Sequence, residues 1–441
     1  MRIGRTLPPA ATRIGFSDIA LGICGMFRGP RTSERFRSEL TDYFGVRHCF
    51  LVSSGAAALT LILLSLKELF PDRDEVVVPA FTCYSVPASV LRAALRIKLC
   101  DLDADNLDFD LAKMSVLLSG IPTGRHEALH PSNCGTASAG HGSSEPAPSG
   151  GQANRTLAVL PTHLFGYPAD VLALRNVTKS EKITIVEDAA QAMGGELGGA
   201  KLGTLGDVSF FSLGRGKAFT TVEGGVILTD RDDIAQILDR RVRELPSYNF
   251  LQQSALVAKS AAIMVFVNPI FFWIPHALPF LRLGVTIFEP DFPIRKMSSF
   301  QAGLGIDWRH KLMKLGETRR QNSKKWIEIL SAFSDKSLLF QSTQLMGLIR
   351  FPIRVRDPEK RKEILRESAE RGAGIMPSYP HALSDLEELG LEARNHEFPI
   401  AESFANELIT LPTHSYLCSR DVKTIKQILS RALHKQGGGT Q

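Results

Sequence analysis

The sequence predicts an α/β protein in which a mainly parallel sheet lies between helices and a smaller α+β C-terminal domain follows. Three observations carry this reading. Between residues 47 and 230, short apolar β-branched runs alternate with longer segments whose apolar residues recur at helical intervals, the pattern of a parallel sheet covered on both faces. One run, Ile183 to Val186, leads into Glu187 and Asp188, which places two acids at the carboxyl end of a buried strand, where open α/β sheets bind ligands. The chain has 441 residues, 44% of them hydrophobic, enough to bury more than one core.

Residues 1–32 read as an irregular N-terminal arm, because the apolar piece Ile19 to Phe27 is short and broken by Gly22 and Gly25. It lacks the layout of a signal peptide, so the expectation is a cytoplasmic protein. A large domain is expected over residues 33–250. It starts with a helix from Ser33 to Phe44, followed by a strand from His48 to Val52. The chain then turns through Ser53-Ser54-Gly55-Ala56 into an apolar helix that ends near Phe70. At that junction a glycine permits close approach, and the free N–H groups of a helix start attract phosphate, so Gly55 and Ala56 are candidate phosphate binders. Glu75 to Pro79 and Arg96 to Asp101 read as further strands around a helix from Ser85 to Ala94.

Residues 121–155 are rich in Gly, Ser, Pro and Ala and nearly empty of large apolar side chains, so a disordered insertion is expected there. His126, His130 and His141 lie in it without metal-ligand spacing, and no metal site is expected. Leu157 to Leu160 resumes the strands and leads to His163, which either approaches a ligand or caps the strand end. Past Asp188 come a Gly-rich connection, a strand from Val208 to Leu213, a Gly214-Arg215-Gly216 turn that presents Lys217, and a strand from Val226 to Thr229. An acid and a lysine therefore sit on neighbouring loops at one edge of one sheet.

Pyridoxal phosphate needs both partners, an amine to hold its aldehyde and a carboxylate to keep its ring nitrogen protonated. At Glu187-Asp188-Ala189-Ala190-Gln191, Gly203 to Asp207, Phe211-Ser212 with Lys217 five places on, and Glu223-Gly224-Gly225, the sequence resembles the DegT/StrS-type sugar aminotransferases, pyridoxal-phosphate enzymes of the aspartate-aminotransferase fold, fold type I. The resemblance covers roughly residues 33–250 and 290–433. It implies that Lys217 attaches the cofactor, that Asp188 pairs with the ring nitrogen, that Gln191 lies near the ring and that Ser212 binds the phosphate. It further implies that Cys83 or Tyr84 flanks the ring and that the Tyr379 and His414 loops lie near the active-site mouth, where they and His163 are candidate substrate contacts.

The chain departs from the family in three places. Ala56 stands where a threonine is usual, Cys83 where an aromatic is usual, and Ile294 in the place of an asparagine that reaches the neighbouring subunit's cofactor. These departures keep open an alternative, a non-catalytic cofactor-binding sensor or membrane scaffold with the same fold. The main expectation is a homodimeric transaminase that moves an amino group from an amino acid, by family habit glutamate, to a keto sugar linked to a nucleotide or lipid. A relative that performs dehydration has histidine at the lysine place, and Lys217 argues for amino transfer.

Residues 251–290 form a hydrophobic, proline-broken insertion. Its core, 261–283, carries His276 and Arg282 as its only ionisable residues and prolines at 269, 275 and 279. Such a segment either dips into one leaflet of a membrane or stays in water, covering a partner subunit or lining a substrate channel. A small domain is expected over residues 291–434, then a frayed tail over 435–441. The net charge of +6 and the pI near 9.0 suit anionic small molecules or an anionic membrane surface and make no case for nucleic acid. The six cysteines, without a CxxC pair, read as reduced thiols.

Overall fold

A computed structural model describes residues 3–119, 155–179, 182–278, 286–340, 347–389 and 397–434. The expected insertion at 121–155 (all but Arg155), with its three histidines, and the tail at 435–441 lie outside these residues, as do residues 279–285 of the hydrophobic segment.

Seven strands make the main sheet: β1 (His48–Val52), β2 (Glu75–Pro79), β3 (Arg96–Cys100), β4 (Thr156–Val159), β5 (Thr184–Asp188), β8 (Val208–Ser212) and β9 (Gly225–Thr229). The short pair β6 (Glu196–Leu197) and β7 (Ala200–Lys201) forms a separate ribbon. The order across the main sheet is β1-β9-β8-β5-β4-β2-β3, and only β9 runs antiparallel to its neighbours. β5 is buried along its whole length, which is why its sequence is a continuous apolar run rather than an alternating one. Helices α3 (Gly55–Leu69), α4 (Ser85–Arg92), α5 (Leu111–Leu118), α6 (Val171–Thr178) and α7 (Asp232–Glu244) connect or flank these strands. A second sheet, in the order β10 (Phe351–Arg354), β12 (Leu408–Leu411), β11 (Met376–Pro377), is antiparallel. It shares a core with α12 (Pro358–Arg371) and α14 (Ser419–His434).

The expectation of an irregular arm over 1–32 is corrected by the structure. Phe16–Arg28 is a helix, α1, and Pro30–Phe44 is the next, α2. Gly22 and Gly25, read as breakers, are contact residues. They lie against Ser299, Phe300 and Gly303 of α10 (Ser299–Leu304), and a methyl group at Gly25 would come within 2.6 Å of the Ser299 carbonyl. The packing gained by this close approach outweighs the weak helix propensity of glycine.

Only residues 3–15 remain extended, and they act as a strap. Arg5 pairs with Asp421, the Thr6 N–H donates to the Pro269 carbonyl, and the Leu7 N–H donates to that of Gly372.

The hydrophobic segment is not a detached hairpin in its described part. It contains α8 (Phe250–Phe266), a turn and the short helix α9 (Trp273–His276). Leu256 and Ile263 pack with Ile14, Ile19, Phe300 and Leu304, and Lys259 pairs with Glu223. The opposite side leaves Phe250, Leu251, Val265, Phe266, Ile270 and Phe271 exposed. Phe272 and Trp273 face inward, where they line a cavity of about 920 Å³ with Leu7, Leu365 and Ile375. No helix among the described residues is long and apolar enough to cross a membrane.

Candidate active site

The carboxyl end of β8, next to that of β5 in the sheet, meets the start of α3, so that Asp188, Ser212 and Gly55 lie along one sheet edge. Asp188 closes β5. Its backbone is held by Pro161 and His163, and one carboxylate oxygen accepts the Ala190 N–H at 3.0 Å. Burial pushes the Asp188 carboxyl above its ordinary range, opposed by the Ala190 N–H and by the nearby charges of Lys217 and His163. Its other oxygen accepts no hydrogen bond among the described residues, so the acid lacks a bonded cation.

Lys217 follows Gly216, whose φ of +73° closes a turn that an L side chain would strain. The carbonyl of Lys217 accepts from Thr12 Oγ1 at 2.6 Å and from Arg319 at 2.9 Å, and Arg319 also donates to the Ala218 carbonyl at 2.7 Å. The peptide that carries Lys217 is thus held at its carbonyl by two side-chain donors. Ser212 ends β8 directly against Gly55, where an added methyl would lie 2.8 Å from Ser212 Cβ. Ser54 caps α3 through the Ala57 N–H at 3.0 Å, and the N–H groups of Gly55 and Ala56 have no helical carbonyl behind them.

A wall of aromatic rings borders this cluster. Tyr379 stacks on Phe165 at 6.5 Å, meets Phe81 edge-on at 5.4 Å, and accepts a hydrogen bond from Gln191 Nε2 at 3.1 Å. Gln191 Oε1 accepts the Phe165 N–H. Burial pushes the Tyr379 phenol far above its ordinary range. Of the two residues expected to flank the ring, Tyr84 spends its phenol on the backbone of His381 in both directions, at 2.9 and 3.1 Å. Cys83 keeps partial exposure.

Two candidate substrate contacts are corrected. His163 is fully buried, with Nδ1 accepting the Ala169 N–H and Nε2 meeting Glu187 at 2.7 Å, so neither ring nitrogen is free. His414 is 1% exposed beneath the N-terminal strap, where its Nε2 meets the Pro8 carbonyl at 2.8 Å. Both support the site from within. Ile294, in the place of the family's asparagine, packs against the chain's own main core.

Sequence reasoning missed the task of Glu187. Burial alone would raise its carboxyl. The His163 hydrogen bond and charge, with the N–H groups of Gly203, Leu205 and Gly206, instead hold it below the ordinary range. It fixes the Gly-rich connection that the motif only spelled out. Among the described residues no cluster of three His, Cys, Asp or Glu side chains could hold a metal ion.

A sequence profile of the DegT/DnrJ/EryC1/StrS aminotransferase family matches residues 24–119, 153–263 and 293–430, most of the chain. The chain belongs to this family. Among curated relatives it is 23% identical over 363 residues to a GDP-4-keto-6-deoxy-D-mannose 3-dehydratase of Yersinia pseudotuberculosis, covering 80% of this chain and 78% of that one. It is 30% identical over 200 residues to a GDP-perosamine synthase of Caulobacter vibrioides, covering 45% and 44% respectively. The chain therefore spans from under half to about four-fifths of these two relatives. The structure of Helicobacter pylori PseC, an aminotransferase of pseudaminic acid biosynthesis, superposes with a TM-score of 0.72 at 15% identity, over 98% of this chain and all of that one.

Family membership makes the chain an aminotransferase-family enzyme whose cofactor is pyridoxal phosphate. The cluster fits that group. A buried acid without a bonded cation matches a protonated ring nitrogen, and the free helix-start N–H groups beside Ser212 match a phosphate.

Proposed function

We propose that this DegT-family enzyme moves an amino group from an amino acid, glutamate, to the ketone of a keto sugar carried on a nucleotide or a lipid, within the biosynthesis of a surface glycan. The observation that carries the reading is Lys217, on a turn clamped at its carbonyl, within electrostatic reach of the buried Asp188. The names of relatives, GDP-perosamine synthase among them, support amino transfer, and a lysine rather than a histidine at this place favours it over dehydration.

When bound, pyridoxal phosphate supplies an aldehyde that exchanges amino groups and a ring that withdraws electrons. Gly55, Ala56 and Ser212 would hold its phosphate, and Asp188 would keep a proton on its ring nitrogen. The Lys217 amine would take the proton from the donor's α-carbon and, in the second half of the exchange, deliver one to the acceptor carbon that gains the amino group. Gln191, Tyr379 and Phe165 border the reacting groups and limit water. Two copies of the chain form the working dimer in this reading.

A second reading concerns place. The exposed row Phe250, Leu251, Val265, Phe266, Ile270 and Phe271 favours contact with the surface of a membrane, facing the cytoplasm, over full immersion in water.

The test is the absorbance of purified, cofactor-supplemented protein before and after glutamate, and after glutamine, the donor in the name of several relatives. A visible band that glutamate removes and Lys217→Ala alters supports the reading, whereas no band at all overturns it. Flotation with vesicles containing anionic lipid, lost in Phe266→Asp/Phe271→Asp, supports the second reading, and protein that never floats refutes it.

A further inference from the structure

Among the described residues, Arg350 is a cation without an anion. It stands one residue before β10, next to Ile349, whose N–H donates to the Phe165 carbonyl at 3.0 Å beside the loop that carries His163. Its Nε is shielded from water and meets no acceptor, and among the described residues the side chain enters no hydrogen bond or ion pair. Two other arginines are satisfied differently. Arg354 pairs with Glu407 and donates to Ser403, and Arg319 is taken up by carbonyls.

Burial pushes the Arg350 guanidinium below its ordinary range, and the Tyr379 phenol works against that. That same phenol bonds Gln191 and lies within electrostatic reach of Asp188 and Cys83. Arg350 therefore adds a positive charge at the aromatic wall of the site. A guanidinium whose Nε is shut off from water without an acceptor costs desolvation that an anion with matching hydrogen-bond acceptors offsets well, and its planar fork fits carboxylate or phosphate oxygens.

We propose that Arg350 is the anion anchor of this site and holds the carboxylate of the amino donor. The inference rests on the aminotransferase reading. A carboxylate and a nucleotide diphosphate offer the same oxygens. The donor's carboxylate, however, is bonded directly to the reacting carbon and must lie beside the groups that Tyr379 and Gln191 border, whereas a sugar's diphosphate lies a whole ring away.

The experiment compares wild type with Arg350→Gln and Arg350→Lys in three measurements. They are binding of glutarate, a dicarboxylate without an amine, by calorimetry to protein with and without cofactor; binding of GDP and UDP; and the glutamate dependence of the absorbance change. The expected result is glutarate binding weakened by about 10- to 100-fold in Arg350→Gln, partly restored in Arg350→Lys, with a matching rise in the glutamate concentration needed. Nucleotide binding, the resting spectrum and the unfolding midpoint should hold. Unchanged glutarate binding overturns the proposal, and a loss confined to GDP or UDP assigns the anchor to the acceptor and overturns it equally. If the wild type never exchanges an amino group, the aminotransferase reading fails separately, because the glutarate and nucleotide measurements need no turnover.

Discussion

The guanidinium of Arg319 donates to the carbonyl of Lys217 at 2.9 Å across 102 residues of sequence. Arg319 is 2% exposed and has no carboxylate partner among the described residues. Burial pushes it down to about 10, and the Lys217 and Ala218 carbonyls, with Thr12, are what make it tolerable there. Lys217 thus depends on α11 (Trp308–Ser331) and on the N-terminal strap for the direction of its peptide.

Arg319→Met should therefore act on the lysine turn as well as on stability. Two carbonyls lose a charged donor, at roughly 1–3 kcal/mol, and the turn loosens. The expected outcome in urea titration is a lower midpoint. Incorporation of cofactor into Lys217, followed by mass spectrometry after borohydride reduction, should slow several-fold, with Arg319→Lys intermediate. Labelling as fast as wild type would show that the clamp does not orient the lysine.

His414 makes a pH prediction. Burial lowers its ring from 6.5 to about 4, opposed by the Pro8 carbonyl. The unfolded chain therefore binds a proton between these values that the folded chain refuses, so stability is present above pH 6.5 and is lost as pH falls toward 4. The loss attributable to this group is roughly 3 kcal/mol. Chemical denaturation from pH 7 to pH 4 should show it, and His414→Gln should flatten that part of the profile.

Asp188→Asn separates fold from chemistry. Removing a carboxyl that burial makes costly should leave the cofactor-free protein at least as stable as wild type by thermal unfolding. Without a charge to hold the ring proton, turnover should fall by about 100-fold or more, and the stabilisation on adding cofactor should shrink. A variant with wild-type turnover would remove Asp188 from its assigned role.

Gly55→Val tests the phosphate cradle. Its side chain would meet Ser212 where a Cβ is already 2.8 Å from the serine Cβ. Cofactor affinity, measured by equilibrium dialysis, should drop by about 10-fold or more while most of the fold is kept, because the valine sits at a helix start rather than deep in the core.

Much of the main sheet was legible because its strands are short, buried and parallel, so each appears as an apolar run between loops. β4 and β5 are examples. The arm was misread at Gly22 and Gly25, where the sequence shows two weak helix formers but not the α10 surface they fit. His163 and His414 lie on stretches that resemble family loops near the active site, and that resemblance does not say where their rings point. Whether a ring nitrogen faces a ligand or a backbone carbonyl depends on neighbours 24 and 406 residues away.

The sequence by itself determined the alternation of strands and helices, the acid at the end of β5 and the lysine after the Gly-Arg-Gly turn, since these are local matters of periodicity and spacing. Tertiary structure alone decided that Glu187 is a structural acid bonded to its own loop and that Asp188 is the buried acid with one carboxylate oxygen left over among the described residues. It alone decided that Arg319 and Thr12 hold the lysine's peptide and that Arg350, within electrostatic reach of Tyr379, has no partner among the described residues. The physical reason is that these contacts are made to backbone carbonyls and N–H groups, which every residue carries, so no residue type in the sequence marks the partner.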